Sequence, residues 1–229
     1  TCEVKSCGRN TYGTTKTVAI KITNKTSIFE NLIYISFPHI RMDIPINILF
    51  KALGCITDKE IIYHIIDNDN SYMDNLILKI IRKSFTETSD YQTEYDAIMY
   101  ITKYINHSNT TFSPEMKYEY CKNILKRDLL PHLGYDDKKK IHFLGLMVNK
   151  LLKCYIGAME PSNRDNYANK RIETVGILMG NLINQCMYRI VKDIRLFINK
   201  EVSTGLWTLN NNYEDIINDI NISKMIKSN

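Results

Sequence analysis

Two long runs of apolar residues at helical spacing constrain this chain more than any other feature. In one, Ile141, Leu144, Val148, Leu151, Leu152 and Tyr155 fall on a single stripe. In the other, Ile172, Val175, Met179, Leu182, Ile183, Cys186, Ile190 and Ile194 do the same. A helix with so wide an apolar face is stable in water only when that face is covered, so both are expected to be core elements. Gly145 in the first and Gly176 and Gly180 in the second weaken helix propensity. They are read as points where another backbone comes close.

Shorter helices are expected upstream. Asp43 with Pro45 reads as a helix start and Gly54 as its close. Thr57-Asp-Lys-Glu60 has capping-box spacing, so a second helix should follow at once. Further helices are expected over 72–86, 91–106 and 114–128, the last opening on Ser113-Pro114-Glu115, a cap followed by proline at the first helical position. Before about residue 40 the pattern differs. TVAIKITN and NLIYISFPHI gather β-branched and aromatic residues in short runs around the loop NKTSIFE, which predicts strands. The fold class is therefore α+β and mostly helical, a small N-terminal β-sheet packed with about seven or eight helices.

At 229 residues the chain is long enough to bury a core without disulfides. The six cysteines, at 2, 7, 55, 121, 154 and 186, are scattered, and four of them lie inside apolar-periodic segments. Buried, reduced thiols of an intracellular protein are the expected state. The longest apolar candidate for a membrane span, IPINILFKALGCI, is interrupted by Asn47 and Lys51, and the opening TCEVKSCGRNTYG has no secretory-signal pattern. The missing initiator methionine and the thinly apolar ending after Trp207 give the expectation of an internal piece of a longer chain. Asn24, Asn106, Asn109 and Asn221 stand in glycosylation sequons that an Asn-rich chain produces by chance.

Candidate chemistry is thin. DNDNS at 67–71 opens like a calcium loop, but Tyr72 stands where glycine is required and Leu78 where the bidentate glutamate should be, so a polar turn is expected. Cys2 and Cys7 have no second ligand pair at zinc spacing. His132 and His142 flank GYDDKKK without a convergent partner legible in sequence, and are expected to be structural or surface residues. Neither a phosphate-cradling glycine loop nor a nucleophile elbow occurs. Metal ligands, cofactors and catalytic residues are not expected in this chain. The net charge of +5, from 30 basic and 25 acidic residues, permits contact with nucleic acid or acidic protein without demanding it. Charge also gathers in NRDNYANKRIETVG, where Arg164, Asp165, Lys170 and Arg171 stand ahead of the second apolar stripe. Such a cluster can be a solvated cap, a phosphate seat or a site that reads a polar partner.

Three separated blocks resemble the second-largest subunit of multisubunit DNA-directed RNA polymerases. They are DIPINILFKALGCITDKEIIYHI at 43–65, LLPHLG at 129–134 with KKKIHFLGLMVNKLL at 138–152, and RDNYANKR at 164–171. The resemblance implies the lobe region of that subunit over about 8–170, with 1–7 and 171–229 belonging to the neighbouring protrusion. It also implies a part in transcription, as one wall of the DNA cleft of a nucleotidyltransferase complex whose catalytic aspartates and magnesium lie elsewhere. The partners implied are DNA, other polymerase subunits and transcription initiation factors, and no membrane. Asp165 and Lys170 match loop residues that in bacterial relatives help form a pocket for a coding-strand base, with Arg171 and Arg164 beside them. Ala168 departs from the family's usual glycine. The alternative role for the cluster is an internal ion-pair network locking the loop to the following helix. The bias toward Ile, Asn, Lys and Tyr looks like a large DNA virus or another AT-rich genome, which would place the protein in a nucleus or a cytoplasmic viral factory and virion.

A reduced, metal-free core leads to a first test. Chelator and thiol reductant are each expected to leave the thermal midpoint of the chain unchanged, as followed by circular dichroism. A large drop with either would contradict the reading of the cysteines.

Overall fold

The structure is a computed structural model, and it describes residues 1–8, 15–23, 32–66, 72–105, 113–163 and 165–205. The sequons, the DNDNS stretch, the NKTSIFE loop and Arg164 lie outside these residues. Packing divides the chain into two compact units, Thr1–Asn166 and Tyr167–Asn229.

In the first unit four strands form an antiparallel sheet in sequential order: β1 (Cys2–Ser6), β2 (Lys16–Thr23), β3 (Leu32–Ser36) and β4 (Ile44–Pro45). The register pairs Val4 with Val18, Ile20 with Ile35 and Ile35 with Ile44. Leu32, Ile33, Tyr34 and Ile35 are all buried, so β3 is covered on both faces, and α3 (Tyr72–Glu87) packs against it. There the Ser84 hydroxyl accepts the Ile33 amide at 3.3 Å and Tyr34 Oη donates to Glu87 Oε1 at 2.6 Å. β1 adds to the expected strands, and the alternation in CEVKS marks it.

The helices of this unit are α1 (Ile46–Ala52), α2 (Asp58–Ile65), α3, α4 (Glu94–Thr102), α5 (Pro114–Arg127) and α6 (Asp137–Ile156). With α7 (Val175–Thr204) in the second unit, seven α-helices stand among the described residues, and the α+β, mostly helical class holds. Capping follows sequence at most starts. Thr57, Thr93 and Ser113 each accept an amide from the first turn. Gly54 follows α1 with φ of +98°. Asp43 is a correction: it caps no helix. Ile44 and Pro45 pair with β3 instead, the Asp43 carboxylate lies 3.6 Å from Lys21 Nζ, and α1 begins only at Ile46 without a side-chain cap. Proline is tolerated there because β4 is an edge strand. α4 is shorter than the 91–106 expected, since at one end the Tyr91 carbonyl accepts from Lys51 Nζ and at the other Ile105 bridges to Ile40.

α6 lies at the centre of the first unit. Ile141, Leu144, Val148, Leu151 and Leu152 are buried as the stripe predicts, whereas Tyr155 is exposed because the covering elements run out before the helix stops at Gly157. Gly145 is the close approach anticipated. A Cβ there would overlap the His64 carbonyl oxygen of α2 and sit 2.7 Å from its carbonyl carbon. Four residues on, Asn149 Nδ2 donates to the Ile65 carbonyl at 2.6 Å. At the other end Lys140, fully buried, donates to the carbonyls of Leu125 and Lys126 at 2.8 and 2.7 Å. These are carbonyls that a helix end leaves without an intrahelical partner.

The second stripe corrects the expectation of a core element. α7 forms, but Ile172, Val175, Met179 and Ile183 are exposed, Leu182 and Ile194 are half-buried, and only Cys186 and Ile190 of the stripe are buried. Spacing specifies an amphipathic helix and is silent on what covers it. At Gly176 a Cβ would meet nothing within 4 Å, so this glycine marks no close approach.

Gly145→Ala should therefore lose more by collision with a fixed main chain than it gains in helix propensity, about 1 kcal/mol. A net destabilisation of roughly 1–3 kcal/mol is expected in urea unfolding. A stabilised variant would mean that α2 and α6 do not meet at this point.

Lys140 yields a pH test. Burial pushes its ammonium down from 10.5 to about 8, against the opposing pull of Asp137 and Asp128. Between these values the unfolded chain holds a proton that the folded chain has released, so stability rises with pH across that window. Lys140→Met should lack the rise, and at pH 7 it should lose roughly 1–3 kcal/mol because helix-end carbonyls are left without a donor. Parallel pH profiles for the two proteins would refute the assignment.

Candidate nucleic-acid interface

After α6 the chain passes the left-handed Gly157, whose φ is +82°, and runs out to the charged stretch singled out in the sequence. At the edge of the first unit, the Asn163 side-chain carbonyl accepts the Asp165 amide at 2.9 Å and its backbone carbonyl accepts the Asn166 amide at 3.3 Å. This is an Asx turn, in which a short polar side chain stands in for a backbone acceptor. It leaves Asp165 exposed.

The second unit opens with a 3-10 turn, Tyr167–Asn169. The Lys170 amide closes it on the Tyr167 carbonyl at 3.1 Å. Arg171 Nη1 then donates to the carbonyls of Ala168 and Lys170 at 3.1 and 2.9 Å, so the guanidinium ties down the end of its own turn. Ala168 has no positive φ, and this backbone does not require glycine. Lys170 and Arg171 are exposed. α7 follows from Thr174, whose side chain makes no cap bond.

Three of the four anticipated residues, Asp165, Lys170 and Arg171, are thus solvent-facing, and the fourth, Arg164, lies outside the described residues. Sequence reading passes over Tyr167, which is 91% exposed in the middle of the stretch. An aromatic interleaved with basic residues is the signal that could have marked it, since a ring in solvent offers a stacking face to a base.

Among the described residues the histidines and cysteines gather into no metal-binding group. His132 holds Nδ1 against Ser6 Oγ at 2.7 Å, and His142 is exposed. All six cysteines are free thiols. Burial raises Cys55 to about 11 and Cys121 to about 12, which keeps both protonated and weakly nucleophilic. Among the described residues no group of three or more His, Cys, Asp or Glu is placed to hold a metal ion, and no helix is long and apolar enough to cross a membrane.

The described residues thus comprise a small antiparallel sheet packed with helices and, near the end of the first unit, a stretch of exposed acidic and basic residues. The family described as RNA polymerase Rpb2, domain 2, matches residues 4–173, and the chain belongs to it. It is similar to DNA-directed RNA polymerase II subunit 2 of Arabidopsis thaliana, with 30% identity over 89% of this chain and 17% of the relative. Subunit RPB2 of Schizosaccharomyces pombe is 32% identical over 74% of this chain and 14% of its own length. The archaeal subunit Rpo2N of Methanocaldococcus jannaschii is 33% identical over 75% of this chain and 34% of its own. The chain thus spans about a third or less of these relatives. All three resembling blocks, 43–65, 129–152 and 164–171, fall inside the matched residues.

Proposed function

We propose that this chain is the lobe region, with flanking protrusion pieces, of the second-largest subunit of a DNA-directed RNA polymerase, acting in transcription. The lobe is assigned to about 8–170 and the protrusion to 1–7 and 171–229. Two observations support the later edge: packing divides the chain after Asn166, and the family match ends at residue 173. The earlier edge has no such support, since β1 is hydrogen-bonded to β2. Catalysis and magnesium belong to other parts of the assembled nucleotidyltransferase. The partners proposed are DNA, other polymerase subunits and initiation factors, in a nucleus or, for a viral source, a cytoplasmic factory and the virion.

Within that assembly the charged loop forms part of one wall of the DNA cleft. The observation that carries this role is the exposure of Asp165, Lys170 and Arg171 together with Tyr167 in a stretch that the family match includes. A carboxylate accepts from a base amino group, lysine and arginine meet phosphate and base acceptors, and a tyrosine ring stacks. Arg164 is assigned to the same surface on sequence grounds. A second reading, a purely structural or protein-binding helical domain, is favoured by one interaction: Arg171 spends its Nη1 on carbonyls of its own turn.

The two readings separate in an assembled polymerase. Replacing Lys170 and Arg171 with alanine should weaken open-complex binding and lower the salt slope by ~0.7–0.9 for each phosphate no longer neutralised. Asp165→Ala should change discrimination among coding-strand bases, whereas removal of a phosphate partner weakens all sequences alike. If all three substitutions leave DNA binding intact and only lower the melting temperature of the chain, the cluster is a structural clasp and the DNA-facing role is wrong.

A further inference from the structure

One polar interaction away from the candidate interface joins parts of the chain 126 residues apart. Ser6, the last residue of β1, is 2% exposed. Its Oγ accepts the His132 backbone amide at 3.2 Å and lies 2.7 Å from His132 Nδ1. His132 stands in the 3-10 turn Pro131–Leu133 between α5 and α6, with its ring edge-on to Phe143 of α6 at 4.9 Å.

Ser6 Oγ has two partners here, and one assignment of the protons satisfies both. With the His132 amide donating to Oγ, the hydroxyl's own proton goes to Nδ1. In that assignment Nδ1 is unprotonated, and the neutral ring carries its proton on Nε2. Protonating the ring turns Nδ1 into a second donor aimed at the same oxygen, and the Ser6 O–H then loses Nδ1 as its acceptor.

We propose that Ser6 and His132 form a proton-sensitive clip, which fastens the edge strand β1 to the turn between α5 and α6 and loosens it when the imidazole takes up a proton. Among the described strands β1 pairs only with β2, and it also packs against α6, so the clip adds to these contacts at the end of the strand. Loosening it exposes an edge of β2 that another strand could use. Partial burial of the ring lowers its pKa below 6.5, in the direction the geometry requires. The charged and titratable groups on the surrounding elements include Lys5 of β1, Lys16 of β2, which pairs with Ser6 and lies 3.2 Å from Asp128, Lys126, Arg127 and Asp128 at the end of α5, His39 beside Asp128, and Asp136, Asp137, Lys138, Lys139, Lys140 and His142 at the start of α6. Because the folded value lies below the unfolded one, the clip contributes fully above pH 6.5 and is lost as pH falls through the folded value.

Long-range proton–nitrogen correlation spectra of the 229-residue chain read the tautomer and the titration together. His132 is expected as Nε2–H at pH 8 and should titrate below 6.5. As it does so, the β1 amides bonded to β2 should exchange faster relative to amides of the β2–β3 ladder, after correction for intrinsic rates. Ser6→Ala should move the pKa of His132 toward about 6.5, while Ser6→Thr, which keeps the hydroxyl, should not. His132→Gln retains an acceptor that cannot titrate, and should make β1 exchange independent of pH even if Ser6→Ala fails to fold. An Nδ1–H tautomer in the unmodified chain, or β1 protection that ignores the His132 titration, overturns the clip.

Discussion

The first unit depends on the packing of α6 against the main chain of α2. Gly145 lets the helices approach until no side-chain atom separates them, and Asn149, one turn later, supplies the donor that the Ile65 carbonyl lacks at the end of α2. Close approach without the donor would bury an orphan carbonyl, and the donor without the glycine would not reach it. Lys140 repeats the arrangement at the end of α5, where two carbonyls at the negative pole of a helix offset part of the cost of burying an ammonium. One helix therefore terminates two others, and the apolar stripe between these polar points fills the remaining space.

The turn that delivers the chain from α5 to α6 is conformationally costly. Leu130 has φ of +49° and precedes Pro131, which disfavours the right-handed helical region for it. A left-handed branched residue costs roughly 1–2 kcal/mol. Leu129 and Leu130 are both fully buried, and each such side chain gains about 1.5–3 kcal/mol. Burial therefore outweighs the strain. The same turn presents His132 to Ser6, so the backbone conformation that seats two leucines also joins β1 to the helical layer.

Local chemistry is legible where local interactions decide the outcome. Thr57, Thr93 and Ser113 cap helices because a hydroxyl one turn from an amide needs nothing distant, and the β-branched runs form β2 and β3. Legibility ends where distant partners compete. Asp43 looks like a cap until β3 draws Ile44 and Pro45 into a ladder. Ile172 and Val175 look like core because spacing records an apolar face and not its cover. Lys51 reads as a break in an apolar run and Lys140 as the last of a charged run, yet both are buried with main-chain acceptors 40 and 15 residues away in sequence. The charge cluster is visible as composition, and the turns that hold it are not, since Asn163 serving Asp165 and Arg171 serving Ala168 depend on backbone geometry that side-chain identity alone does not fix.

Those turns bear on why the cluster is charged at all. Ion pairs among exposed side chains contribute about 0–1 kcal/mol and are weakened further by salt. Asp165, Lys170 and Arg171 are all exposed, so any pairing among such groups adds little to a fold whose stability comes from the buried packing around α6. The closure of the loop on Tyr167 uses the Lys170 amide, which every residue but proline has, and so does not call for lysine at that position. An exposed charge retains its long-range field whatever local bonds shape the backbone beneath it, and that field acts chiefly on association with a charged partner. The proposed DNA-facing role would use that field, whereas a structural clasp would gain little from it.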